Sequence, residues 1–149
     1  MAKRTKPMAQ SSDNVNMSSE RMHFEELERI AEKSTSSEFT YYFEDHDTNP
    51  LKNVIASSIL INDYTIYHKH DFYEVNIVLE GVLYQHMGAR NFVLRPGELI
   101  FMTPGVYHNC YCDEGSCCYN LLFKADWLKR RLHETAYLNP KLTIIYENK

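Results

Sequence analysis

His68, His70, Glu74 and His108 are the side chains of this sequence whose types and spacing best suit chemistry. They sit in His68-Lys69-His70-Asp71-Phe72-Tyr73-Glu74 and in Gly97-Glu98-Leu99-Ile100-Phe101-Met102-Thr103-Pro104-Gly105-Val106-Tyr107-His108. Alternate residues of a strand share a face, so His68 and His70 point the same way. A short turn then brings Glu74 onto the neighbouring strand beside them. His108 arrives from a separate region just past the Pro104-Gly105 turn. Three imidazoles and a carboxylate form a donor set for Zn, Mn, Fe or Ni, and catalysis on such a metal needs an open coordination position. The same four groups can instead hydrogen-bond a small polar ligand. If Glu74 faces inward, Asn76 and Val78 share its face, and the Asn76 amide offers both a donor and an acceptor. The alternative core face of that strand is Tyr73, Val75, Ile77 and Leu79. His86, at the end of the next strand, is expected to be a satisfied or exposed histidine rather than a further ligand.

All four cysteines lie between Cys110 and Cys118, which is not a framework that staples a secreted fold. No Cys-x₂-Cys spacing supports a zinc site. If Glu114-Gly115 is a hairpin tip, Cys112 faces Cys117 and Tyr111 faces Cys118. A directly opposed Cys112/Cys117 pair could form a strained, reducible bridge. Buried thiols acting as small hydrophobes are the simpler expectation.

These residues need a scaffold, and the sequence is of a size typical of one domain: 149 residues, 44% hydrophobic and 13% aromatic. The net charge of −4 and pI near 6.0 argue against this segment gripping nucleic acid by itself. The longest apolar-leaning stretch, Val54 to Ile61, holds two serines and is far too short to span a membrane. The basic N-terminus lacks an apolar signal core, so a cytoplasmic location is expected.

Residues 1–19 read as a flexible polar arm. Residues 20–33 read as a helix that Ser18 or Ser19 can cap, with a thin apolar stripe of Met22, Leu27 and Ile30; its charged faces place it on the outside of something. From Phe39 the pattern becomes short β-runs: Phe39–Glu44, Val54–Ile61, Tyr64–His68, Phe72–Glu80, Val82–Met87, Asn91–Leu94, Leu99–Thr103, Tyr107–Cys112 and Cys117–Lys124. Breakers such as Gly81, Gly88, Pro96-Gly97 and Pro104-Gly105 separate them, which predicts a sandwich or barrel. A helix over 125–138 follows, with Leu128, Leu132 and Ala136 on one face and Trp127 as a packing anchor, and Pro140 closes it. Lys129-Arg130-Arg131 reads as its solvated face. Leu142–Tyr146 looks like the beginning of another element, as if the chain were one domain of a longer protein. The division is therefore 1–38 arm and helix, 39–124 barrel, and 125–149 post-barrel helix and start of a linker.

His68-x-His70-x₃-Glu74-x₆-Gly81 resembles most of the first cupin motif, and Gly97 to His108 resembles the second, across roughly residues 54–124. Three positions depart from the pattern. Asn62 stands where a glycine is expected, the proline is displaced by one in Thr103-Pro104-Gly105, and Cys112 stands where an asparagine is expected. The finer texture, from His70-Asp71-Phe72-Tyr73-Glu74-Val75-Asn76-Ile77-Val78-Leu79-Glu80-Gly81 to Phe123-Lys124-Ala125-Asp126-Trp127-Leu128, is similar to the N-terminal sensor domain of AraC-type transcription regulators. That resemblance implies a mainly β cupin barrel, a double-stranded β-helix, with flanking helices. It also implies a small polar, sugar-like effector, a homodimer, and DNA contact only through a helix-turn-helix domain beyond this chain. His68, His70, Glu74 and His108, with Asn76 and aromatic walls from Tyr84 and Tyr107, would hold the effector. Such regulators commonly keep the His and Glu pattern without using it for catalysis, so no catalytic residue and no cofactor is expected. The alternative is a metal-dependent cupin enzyme, an isomerase or dioxygenase, with His68, His70, Glu74 and His108 as ligands.

Overall fold

The computed structural model describes residues 12–34, 39–47 and 49–138. Nine strands and three helices lie among them: α1 Ser12–Ser34, β1 Thr40–Tyr41, α2 Phe43–His46, β2 Val54–Ser58, β3 Lys69–His70, β4 Tyr73–Glu80, β5 Leu83–Met87, β6 Arg90–Leu94, β7 Leu99–Met102, β8 His108–Cys112, β9 Cys117–Phe123 and α3 Ala125–Leu138. Expectations for residues 1–11, Pro140 and Leu142–Tyr146 lie outside the described residues.

The strands form one antiparallel sheet in the order β2-β9-β4-β7 and another in the order β6-β5-β8. The pairings nest: β2 with β9, β4 with β7, β5 with β6, and a His68–His108 bridge next to β3 ties that strand to β8. A nested hairpin rolled into two facing sheets is the jelly-roll topology. The expected mainly β barrel with flanking helices is therefore present.

Strand alternation divides the residues between the inside and the outside. Val78, Asn76 and Glu74 of β4 point inward, as do Leu83 and Gln85 of β5 and Cys112, Cys110 and His108 of β8. One end is closed by a cluster of Ile59, Val78, Leu83, Leu94, Cys110, Cys112 and Cys118, and the other by Phe43, Phe72 and Leu122. Gly81 closes the first end from the rim. Its φ is +76°, and a Cβ there would sit 2.1 Å from Ser116 Oγ, so no other residue fits without displacing that turn.

Three sequence expectations change. The first helix begins at Ser12 rather than Glu20, and Ser18 and Ser19 lie inside it instead of capping it. Packing decides this: the buried stripe is His23, Leu27 and Ala31, while Met22 is exposed, and each residue added to a docked helix adds a backbone hydrogen bond. As expected, this helix packs on the outside of the barrel, over β5 and β8. Only Thr40–Tyr41 of the run from Phe39 to Glu44 is strand. The Asp71 carboxylate accepts from Phe43 N at 2.9 Å and the Asp45 carboxylate from Tyr42 N at 3.0 Å, which turns the chain into α2. Tyr64–His68 forms no strand and makes only the bridges Tyr64–Tyr111 and His68–His108.

A β8–β9 hairpin with Glu114-Gly115 at its tip does not form, because β8 and β9 belong to opposite sheets, and the simpler expectation of buried thiols holds for Cys110, Cys112 and Cys118. Cys117 lies opposite Glu80, not Cys112. The close pair is Cys112 and Cys118, whose sulfurs are 3.0 Å apart as thiols inside the first core cluster.

Candidate ligand and metal site

Each of the three site histidines turns the same ring nitrogen to the backbone. His70 Nδ1 lies 2.6 Å from the Phe72 carbonyl, His108 Nδ1 3.2 Å from that of Val106, and His68 Nδ1 2.8 Å from that of Ile66. A carbonyl only accepts, so Nδ1 carries the proton and donates in each ring, and Nε2 is left with its lone pair. The Nε2 atoms of His70 and His108 lie 3.1 and 3.7 Å from Glu74 Oε2. Neither the carboxylate nor a bare Nε2 can donate to the other, and the buried His70 Nε2 has no aligned hydrogen-bond partner. Three electron-pair donors converging in a buried pocket call for a cation, either a proton or a metal ion. The donor atoms of His70, Glu74 and His108 all lie within 4.8 Å of one another, so this trio fits a divalent metal.

His68, the fourth residue of the expected set, stands at the rim. Its ring is 4.4 Å from that of His108 and 6.3 Å from that of His70, and it lies outside the converging trio. Tyr41 packs edge-on against it at 4.7 Å, and the His70 ring stacks on Phe72 at 4.3 Å.

Burial dominates the electrostatics. It pushes His108 down from its ordinary value to about 3 and also lowers His68, so both are neutral imidazoles near pH 7. Burial alone would raise the Glu74 carboxyl. With a proton on His70 Nε2, the hydrogen bond from that ring, followed by attraction to the neighbouring histidines, outweighs that effect and holds Glu74 below the usual carboxylate range.

One layer deeper the barrel holds amides. Asn76 Nδ2 donates to Gln85 Oε1 at 3.3 Å, and Gln85 Nε2 meets the Met102 sulfur at 3.7 Å. Asn120 lies directly opposite Asn76 in the β4–β9 ladder, and the Oδ1 atoms of both are buried without a partner. Asn76 thus faces the interior as expected. Gln85 and Asn120 escaped the sequence reading, although alternation from Leu83 and from Cys118 leads to both.

Two expected wall residues stand elsewhere. Tyr84 alternates with Gln85 and so faces outward, beneath α1, where its hydroxyl donates to Asp113 at 3.2 Å. Tyr107 lies against Tyr67 at 5.5 Å, with the Lys69 ammonium 4.9 Å over its ring. His86 is buried and satisfied by Asn91 at 2.7 Å, as expected of a non-ligand.

The three departures from the cupin pattern have local explanations. Asn62 adopts φ +55°, the left-handed conformation a glycine would supply and asparagine tolerates, while its side chain accepts from Tyr111 at 3.1 Å. Gly105, with φ +84°, donates to the His70 carbonyl at 2.8 Å and so pins the shifted Pro104 turn to the site. Cys112 is fully buried and serves the core.

The sequence profile of the AraC-like ligand binding domain matches residues 52–143, more than half of the chain. The chain belongs to that family. The match spans β2 to α3 and contains the whole His70–Glu74–His108 trio, so in this AraC-like ligand binding domain the trio lies within the part that defines the family. Among curated proteins no significant match is found. Solved structures similar to it include an RmlC-like cupin from Shewanella frigidimarina, with 23% identity over 49% of this chain and 68% of that one and a TM-score of 0.44. A cupin-2 domain protein of the same organism has 25% identity over 50% and 72%, also at 0.44. KdgF from Halomonas has 16% identity over 51% and 75%, again at 0.44. Among the described residues, no helix is long and apolar enough to cross a membrane.

Proposed function

We propose that this AraC-like ligand binding domain is the effector-sensing part of a transcription regulator. It binds a small polar, sugar-like metabolite inside the barrel and catalyses no reaction. It works in the cytoplasm as a homodimer and reaches DNA only through a C-terminal domain outside this sequence. The observation that carries the reading is the run of unmet acceptors along the barrel interior: His70 Nε2, beside the Glu74 carboxylate, then Asn76 Oδ1 and Asn120 Oδ1. A buried acceptor without a donor costs about 1–3 kcal/mol, and a ligand rich in hydroxyl donors satisfies several at once. Strand β8 supports a readout. His108 faces the interior, while its neighbour Asn109 donates to the Leu27 carbonyl of α1 at 3.0 Å, so a shift of β8 on binding reaches the helix directly. Coupling of this kind requires different ligand affinity for the two positions of the helix.

The undirected lone pair of His70 Nε2 also favours a second reading, a metal-dependent cupin enzyme. His70, Glu74 and His108 would hold the ion, and a bound divalent metal supplies Lewis-acid polarisation of an oxygen. Calorimetric titration of the chelator-treated domain with pentoses and hexoses separates the two. Saturable binding that weakens at least tenfold in Asn120→Ala supports the sensor. Stoichiometric metal after purification, together with chelator-sensitive turnover of the sugar, would overturn it in favour of the enzyme.

A further inference from the structure

The apolar end of the barrel holds two thiols that the ligand site does not use. Cys112 comes from β8 and Cys118 from β9, strands of opposite sheets, and their sulfurs meet at 3.0 Å. Both are buried in the cluster that includes Ile59, Val78, Leu83 and Leu94. One turn holds the two backbones together: Ile59 N donates to the Cys118 carbonyl at 2.9 Å, and Asn62 N donates to that of Cys112 at 2.8 Å. The other two thiols are placed differently. Cys110 shares the inward face of β8, and its sulfur accepts from Thr65 Oγ1 at 3.7 Å. Cys117 alternates with Cys118 along β9 and so points away from the cluster, half-buried and opposite Glu80.

We propose that Cys112 and Cys118 are a disulfide-forming pair: a peroxide oxidises them, and the bond staples the two sheets together at the apolar end. The sulfurs stand about 1 Å beyond the length of a disulfide bond, so small side-chain rotations close the gap. One sulfur of the pair, as a thiolate, attacks a peroxide oxygen; the O–O bond breaks, leaving a sulfenic acid and hydroxide. The second sulfur then attacks the first, the S–O bond breaks and the S–S bond forms, and the departing hydroxide takes up a proton. In sum the two thiols lose two electrons and two protons, and the peroxide becomes two waters. Burial pushes the Cys118 thiol up, so oxidation waits for an opening of this end, and the finished bond is shielded from reductants. The bond fixes β8 to β9. Strand β8 carries His108 of the ligand site and Asn109, which bonds α1, so the staple restrains the strand that connects them. The inference does not depend on what the barrel binds.

The test is to reduce the full chain, expose it to a modest excess of hydrogen peroxide, quench it in denaturant with N-ethylmaleimide and weigh it by mass spectrometry. Two of the four cysteines are expected to escape labelling, with the loss of two hydrogens. Cleavage after Glu114, between the paired residues, should leave the fragments joined until a reductant is added. The joined product should survive in Cys117→Ala and disappear in Cys112→Ala and in Cys118→Ala. In urea the bridged protein should show a ratio of folded to unfolded chains raised roughly tenfold, and reduction after unfolding should erase the gain. Four labels retained by the wild type would overturn the proposal. So would oxygen added to the cysteine sulfurs in place of a bridge, or joined fragments that persist in Cys112→Ala or Cys118→Ala, which would assign the bond to another pair.

Discussion

The two ends of the barrel interior are built from the same strands and follow opposite chemistry. At one end β4, β5 and β8 present Val78, Leu83 and Cys112, which pack into an apolar cluster with nothing left to bond. Four residues along β4 and β8, the inward positions become Glu74 and His108, joined by His70, and lone pairs converge without a donor between them. Between the two lies the amide layer of Asn76, Asn120 and Gln85. The jelly-roll backbone is indifferent to this gradient, since the ladders run unbroken through both ends except for a bulge near Leu79. Alternation gives every inward position burial. The residue placed there decides whether burial yields stability or an unmet demand that a ligand can fill.

This contrast can be broken most strongly by acid. A folded His108 that takes up its proton only near pH 3, against about 6.5 when unfolded, stabilises the protein fully above about pH 6.5 and loses that contribution as pH falls toward 3. The lowered Glu74 acts in the same direction, because its stabilising share is also lost as pH falls. Urea denaturation should show a loss of about 3 kcal/mol between pH 7 and pH 4, and His108→Gln should remove most of that slope. A profile level over this range would mean the polar end is not dry.

At the apolar end Leu83, fully buried, tests packing alone. Leu83→Ala should lower stability by about 3 kcal/mol, by the same amount at pH 5 and pH 7 in the same urea assay. A loss that varied with pH would show that the two ends are coupled through the amide layer.

The smallest effect is expected in alkali, on the thiols. Burial pushes Cys110 up to about 12 and Cys118 higher still. A group whose folded value is raised stabilises at low pH and loses that contribution as pH rises past its unfolded value near 9. Cys110→Ala should therefore remove about 1 kcal/mol of the decline between pH 8 and pH 10, measured as a shift in the urea midpoint, and leave a similar share from Cys118. If the decline were unchanged in Cys110→Ala, Cys118 would be its whole source.

Much of this was legible in the sequence. Strand positions from β4 through β9 follow from hydrophobic alternation between glycine and proline breaks, because a period of two and a turn signal are both local properties. The grouping of His70, Glu74 and His108 follows from the cupin-like spacing. The side of β4 that faces inward had two readings, since both of its faces are apolar enough to be core. The outer one, with Val75 and Ile77 half-buried and Leu79 exposed, kept the ambiguity alive.

By itself the sequence determined the strand ladder, the turn glycines and the donor types of the site, all of which depend on residues close together in the chain. Only the tertiary structure decided that His68 stands outside the trio, that Tyr84 faces α1, and that Cys112 meets Cys118 rather than Cys117. It also decided that His23, 88 positions before its stacking partner Tyr111, is buried against the barrel. The reason is physical. Which sheet a strand joins, and which of its faces a distant helix covers, depends on how much surface the whole assembly buries, and no local pattern carries that sum.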